Sequence, residues 1–456
     1  MNKAFKVLWN QVRNTYVVAS EAQTTHGKPG KATKTIVAAA VAGLMAVSGA
    51  SFANTIEVNP EYAQEDNKLI TGGNDDLNIT TTGSFGELVY DLVQAGSIDD
   101  IRNAIEQDGK VITGVIGGHG VFDSAFVAEK DTVDFVANWW KVGDIAEELW
   151  QTNTGSDLGG TISGIKNLSI GSKESEPVIL GAIGSDFVLG ALGESSFNRN
   201  GNVTIDFVSG NTLGFIGGSA GIALNGIDIL AFNRPLLTLV GDTKTTIDGL
   251  ITVKSLGSAN IFGGAVGSLS MAMGGNSVSN INGGTNLKLG TTVDTANLEG
   301  LTVGVFNGGM AVATLGGTAQ SNVNGTSSIE ATSGMSLGLI GGGLAASSDF
   351  YSLWEGDPES NNDGIFGLLQ KVGTGVGDNF GFGGEENKDG LYLGGTSSVY
   401  TTQSIVNLAG NSTSAMTMGG SIAFANASQS QAESIAKATV DTVEMHLGMG
   451  APEVGD

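Results

Sequence analysis

The chain has 456 residues, of which 72 are Gly, 6 are Pro and none is Cys, with a formal net charge of −25. The lack of Cys excludes disulfides, Cys-ligated metals and thiol nucleophiles, and the charge argues against nucleic acid or an anionic lipid surface as the partner. A hydrophobic fraction of 40% is too high for a disordered acidic tail, and Gly without a triplet period or abundant Pro excludes collagen.

The chain opens with Met1-Asn2-Lys3, then Phe5-Lys6-Val7-Leu8-Trp9-Asn10, then Tyr16-Val17-Val18-Ala19-Ser20-Glu21. Lys28, Lys31 and Lys34 precede an unbroken apolar run, Ile36 to Val47, followed by small residues with Ser51 and Ala53 placed as the −3 and −1 positions of a cleavage site. This is the pattern of a secretory signal cleaved between Ala53 and Asn54, and the run is too short for a stable membrane span. Cleavage there removes six basic residues and one acid, leaving 15 basic and 45 acidic residues and a net charge of −30.

The order of motifs in residues 1–25 resembles the extended signal peptide region of type V secretion systems of Gram-negative bacteria. That resemblance implies export to the periplasm by the inner-membrane Sec machinery, passage through an outer-membrane translocator barrel, and a β-helical passenger at the cell surface or released. The family's translocator is a C-terminal barrel of alternating strands. The last hundred residues show no such series and no terminal aromatic, so the expectation is a truncated autotransporter, a separately encoded pore, or a passenger-like relic or protein with another route.

Residues 54–84 read as an N-terminal cap or linker, and 85–154 as a helix-rich segment, with apolar residues at helical spacing in 85–105 and 133–149. The stretch 155–345 is repetitive. Gly pairs follow short apolar runs at Gly217-Gly218, Gly263-Gly264, Gly308-Gly309, Gly341-Gly342 and Gly419-Gly420, most closely spaced from Gly308 to Gly341 and most widely from Gly341 to Gly419. Gly274 to Gly283 matches Gly316 to Gly325 position by position. Val203 to Phe207, Leu269 to Met273 and Leu301 to Val305 alternate with strand period two, separated by Gly, Asn, Ser and Thr. Repeated short strands with such corners predict a mainly β chain, a right-handed parallel β-helix with helical and acidic loop insertions. At roughly 20–25 residues per coil about eight coils fill 155–345. The expected interior is Ile205, Phe215, Ile216, Ile247, Val253, Ile261, Phe262, Leu287, Leu289, Val303, Val305, Ile329, Leu337 and Ile340. Residues 346–394 read as an acidic, Gly-rich insertion, 395–425 as the final coils, and 426–456 as a helical C-terminal segment.

Little catalytic chemistry is written in the chain. His119 and His446 are the only histidines after cleavage, and His119, in Gly117-Gly118-His119-Gly120, reads as a turn residue. Glu359, Asn361 and Asp363, and Glu385, Asn387 and Asp389, repeat an oxygen-ligand spacing ended by Gly364 and Gly390 that echoes an EF-hand loop. Its closing Glu is replaced by Gln370 and Thr396. These six are the candidate metal ligands, with calcium as the ion; no other cofactor is expected. Trp139, Trp140, Trp150, Trp354 and Tyr351 fall in the insertions and are the candidate contact aromatics. The expected role, which rests on the resemblance, is a non-catalytic surface adhesin or interaction module with host or bacterial surface ligands. The alternatives are a β-helical carbohydrate-acting enzyme, a truncated autotransporter fragment, and a cell-aggregation factor.

Overall fold

The computed structural model describes residues 5–10, 15–20, 55–59, 69–96, 98–105, 111–122, 158–190, 195–224, 242–273, 275–290, 300–314, 317–348, 395–425 and 434–448. They belong to two units, Met1–Val47 and Ser48–Asp456. In the first, Phe5–Asn10 and Thr15–Ser20 form an antiparallel hairpin with Phe5 opposite Ser20.

The second unit is a parallel β-solenoid. One turn shows the plan. Ser195–Asn200 forms side one and Val203–Phe207 side two. Asn211–Thr212 and Phe215–Ile216 form side three, and Ala220–Leu224 forms side four. Each strand pairs in parallel with the strand one turn away: Leu158 with Ser195, Lys166 with Val203, Ala182 with Phe215, and Phe187 with Ala220. Nine layers stack on side two of the described residues, from Thr55–Val58 to Ile435–Leu447, and the six turns between Leu158 and Ala425 show all four sides. Where no insertion intervenes, one turn carries the chain from Phe187 to Ala220, or from Met310 to Leu344. The expected coil of roughly 20–25 residues is therefore too short. The cross-section has four sides, so 158–348 holds five turns instead of eight.

Sides two and three carry the aliphatic core. Ile205, Phe215, Ile247, Val253, Ile261, Leu287, Leu289, Val305 and Ile329 all point inward and are buried, each stabilising the stack by about 1.5–3 kcal/mol. Ile340 is buried too, on the row of Ile216 and Phe306, beside inward Leu339. Four expected interior residues are less buried. Ile216 is half-buried, and Phe262, Val303 and Leu337 form one outward row, with Leu337 49% exposed and Phe262 stacked on Phe85 at 5.3 Å. The cause lies in the backbone. Gly263, Gly304 and Gly338 beside that row have φ of +92°, +64° and +80°. A left-handed residue interrupts the pleat, so in Leu301–Phe306 the inward residues become Thr302 and Val305.

Sides four and one lie close together and fill the space between them with Ser, Thr and Ala. Ser270, Ser277, Ser279 and Ser321 are fully buried. Their hydroxyls donate to backbone carbonyls across the gap, Ser277 Oγ to Ser270 O at 2.6 Å and Ser321 Oγ to Gly309 O at 2.7 Å. A buried hydroxyl is tolerated there because it donates to a carbonyl that already accepts a ladder bond, as Gly309 O does from Leu344 N at 2.9 Å.

The corner from side three to side four is built of glycines stacked turn on turn. Gly117 N donates to Ile183 O, Gly184 N to Ile216 O and Gly217 N to Ala265 O, all at 2.8 Å. In the next turn Val266 and Gly267 hold this corner. Gly263-Gly264, grouped with the other pairs by sequence, lies within side three.

Residues 54–84 are more than a cap: Thr55–Val58, Leu69–Thr71 and Asp76–Ile79 are solenoid strands. Helix α1, Phe85–Gln94, starts where Ser84 Oγ accepts from Glu87 N, and α2 is Ile98–Ile105. The chain then returns to the solenoid at 111–122; the helical stretch expected at 133–149 lies outside the described residues. The expected C-terminal helix is a strand, Ile435–Leu447, paired in parallel with Thr396–Ser414. Its β-branched Ile435, Thr439, Val440, Thr442 and Val443 fit a pleat, and a long open sheet edge outweighs local helical spacing.

Candidate functional site

Turns two to four place a charged cluster in the lumen. Arg199 and Lys166 both follow period two into the interior. Arg199 shares a strand face with buried Phe197, and Lys166 with Leu168 and Ile170. Asp186 follows Gly184-Ser185 at the glycine corner, where the stack turns its carboxylate inward. Exposure is 0% for Asp186 and 2% for each of the two cations.

The geometry is that of a paired anion. Arg199 Nε lies 3.1 Å from Asp186 Oδ2 and also donates to Ser185 Oγ, which donates to Asp186 Oδ2 at 2.5 Å. His119 N donates to Asp186 Oδ1 at 3.0 Å. Its Nδ1, buried and without an aligned hydrogen bond, lies 3.4 Å from the same oxygen. Gly118 makes the room, since a Cβ there would stand 2.2 Å from Asp186 Oδ1. Lys166 Nζ donates to Asp75 O at 2.7 Å.

Burial acts to raise the Asp186 pKa. The His119 side chain, the Arg199 guanidinium, the His119 N–H and the Ser185 hydroxyl outweigh it and hold the carboxyl below its ordinary value. Lys166 is pulled down to about 8, first by burial and then by Arg199, against the attraction of Asp76, Asp186 and Asp75. A lysine whose folded value lies below its unfolded value of 10.5 is the weaker proton binder when folded, so its contribution to stability rises as pH climbs from about 8 to 10.5. Lys166→Met is expected to remove that rise, about 3 kcal/mol, in denaturant midpoints compared at the two ends of the window.

Chemically the cluster is a closed ion-pair network. Ser185 donates to the carboxylate and does not stand against an imidazole nitrogen, so the order of a Ser–His–Asp triad is not reproduced. Sequence reading placed His119 in an exposed turn; it sits at the lumen corner, 24% exposed by side chain. The available signal was period two, which sets Lys166 and Arg199 on the apolar faces of their strands.

A second feature is an external groove of about 800 Å³ where sides two and three meet, lined among others by Ser172, Lys173, Glu174, Asp206, Lys254 and Leu256. Lys254 Nζ pairs with Asp206 Oδ1 at 3.0 Å, and Leu256 is 57% exposed. His446 lies exposed on the last strand, 3.8 Å from Glu444. Ala53, Asn54, Glu359, Asn361, Asp363, Glu385, Asn387 and Asp389 lie outside the described residues, as do Trp139, Trp140, Trp150, Trp354 and Tyr351. Among the described residues no group of three His, Asp or Glu side chains could hold a metal, and no helix is long and apolar enough to cross a membrane.

Residues 1–50 match the family described as Extended Signal Peptide of Type V secretion system. The match supports an autotransporter-type protein, exported across the inner membrane by the Sec route and served in general by an outer-membrane translocator. Comparison with curated proteins and with solved structures gives no match.

Proposed function

We propose that the chain is the passenger of a type V system, displayed at the cell surface or released, and that it acts as a non-catalytic adhesin or interaction module. The observation that carries this reading is the export signal at residues 1–50 joined to a parallel solenoid. Nine layers at about 4.8 Å each make a rod about 40 Å long, stiffened by hydrogen bonds between layers. Such a rod holds contact segments away from a surface, and the segments inserted between its strands are where binding residues concentrate.

The longest of these insertions separates Leu344–Ser348 from Thr396–Ser414. The equivalent step from Met310–Thr314 to Thr318 takes only 315–317. Replacing 349–394 by that short link is expected to leave the circular dichroism and melting of the solenoid unchanged and to abolish binding to host or bacterial cells. Undiminished binding would place the contacts elsewhere. Turnover of a polysaccharide or peptide by residues 54–456 would replace the non-catalytic reading.

A further inference from the structure

The first two turns present nearly the same edge to the rest of the stack. Turn one offers Leu69-Ile70-Thr71-Gly72-Gly73-Asn74, and turn two offers Gly114-Val115-Ile116-Gly117-Gly118-His119. On side two, Thr55–Val58 and Asp76–Ile79 alternate alike, with Val58 and Ile79 both buried. Only the second set lies on turn three, Val115 against Ala182 and Asn78 against Ser169. The long segment 123–157 separates turn two from turn three, so chain connection does little to specify which edge docks. Glycine corners and aliphatic rows are shared by both edges and cannot specify it either.

One difference is on side two, where Asp76 accepts from Asn167 N and Asn167 Nδ2, both at 2.9 Å, and turn one has Thr55; the difference inside the lumen is the residue after the Gly pair. His119 of turn two meets the buried carboxylate of Asp186 through its N–H and its ring, and Gly118 clears the space. Turn one has Asn74 there. Elsewhere in the stack no charge is needed at these places: the turn after Asp186 carries Ser219, and the turn after Arg199 carries Ile247. We propose that the buried His119–Asp186–Arg199 cluster is a register selector, which docks turn two on turn three and rejects turn one. Docking Asn74 would withdraw the imidazole from Asp186 inside the lumen, where a lost partner is most costly.

The Cys-free chain allows a direct test. Asn78→Cys with Ser169→Cys reports the observed register. Glu57→Cys with Ser169→Cys reports the slipped one, since Glu57 is the turn-one neighbour of Asn78. Adjacent strands, about 4.8 Å apart, can close a disulfide, whereas strands two layers apart, about 10 Å, cannot. The pairs are oxidised after refolding the full chain from denaturant. In the otherwise unaltered chain only the 78–169 bond is expected. D186S/R199I, which installs the next turn's own residues, and H119N, which leaves the Arg199–Asp186 pair whole, are each expected to raise the 57–169 bond roughly tenfold. The proposal is overturned if neither variant raises it, or if D186S/R199I does not fold, which would make the cluster a source of stability instead of choice.

Discussion

Gly217→Ala is expected to destabilise the solenoid by about 3 kcal/mol or more. The added Cβ would stand 2.0 Å from Val266 O and 3.0 Å from Val253 Cγ2. The first obstacle is backbone of the next turn, so no rotamer change relieves it; the turns must separate. Separation strains the bonds that make the corner, Gly217 N to Ala265 O at 2.8 Å and Gly218 N to Gly267 O at 2.9 Å. Each repeat touches only its neighbours, so the damage should divide the melt into two transitions. Two controls isolate the cause. Gly420 takes the Gly218 position of this corner in a later turn and a Cβ there would meet nothing within 4 Å, so Gly420→Ala is expected to be near neutral. Gly86→Ala, also unobstructed and inside α1, should gain about 0.5–1 kcal/mol. Calorimetry of the three variants decides the matter. Equal losses at 217 and 420 would mean that layer contact is not what demands glycine.

Arg199→Met is expected to cost about 3–5 kcal/mol, because it leaves Asp186 buried with one ionic partner removed. The sign with pH follows from Asp186. Its folded value is held below 3.8, so it contributes stability above that pH, and the contribution is lost as pH falls through the folded value. Removing the guanidinium leaves burial less opposed, raises the folded value, and should shrink this acid-sensitive component along with the stability at neutral pH. D186S/R199I removes both charges and should recover most of the loss, since Ser and Ile already occupy these ladder positions one turn on. A double-mutant cycle in urea measures the coupling. A double variant as unstable as Arg199→Met would mean that the lumen there is shaped for ions.

Much of the fold was legible in the residues. Period-two alternation at Val203–Phe207 and along Leu269–Met273 identified strands. Gly, Asn and Ser marked their ends, and the match of 274–283 with 316–325 is the observed pairing of Ser277 with Ala319. Charged side chains were the harder part. Arg199 and Lys166 sit at inward positions of readable strands, but a charge at such a position looks like a surface residue until its partner is known. Asp186 lies on a different turn from both His119 and Arg199, and becomes their common partner only when the three turns are stacked.

The sequence by itself determined the export route, the β class and most of the aliphatic interior, because each rests on residues within a few positions of one another. The tertiary structure alone decided the four-sided turn and its length, the outward row of Phe262, Val303 and Leu337, the C-terminal strand and the buried cluster. In a parallel solenoid a residue's nearest neighbours lie a full turn away along the chain. Their chemistry is fixed by stacking register, and insertions of differing length hide that register from any reading of local pattern.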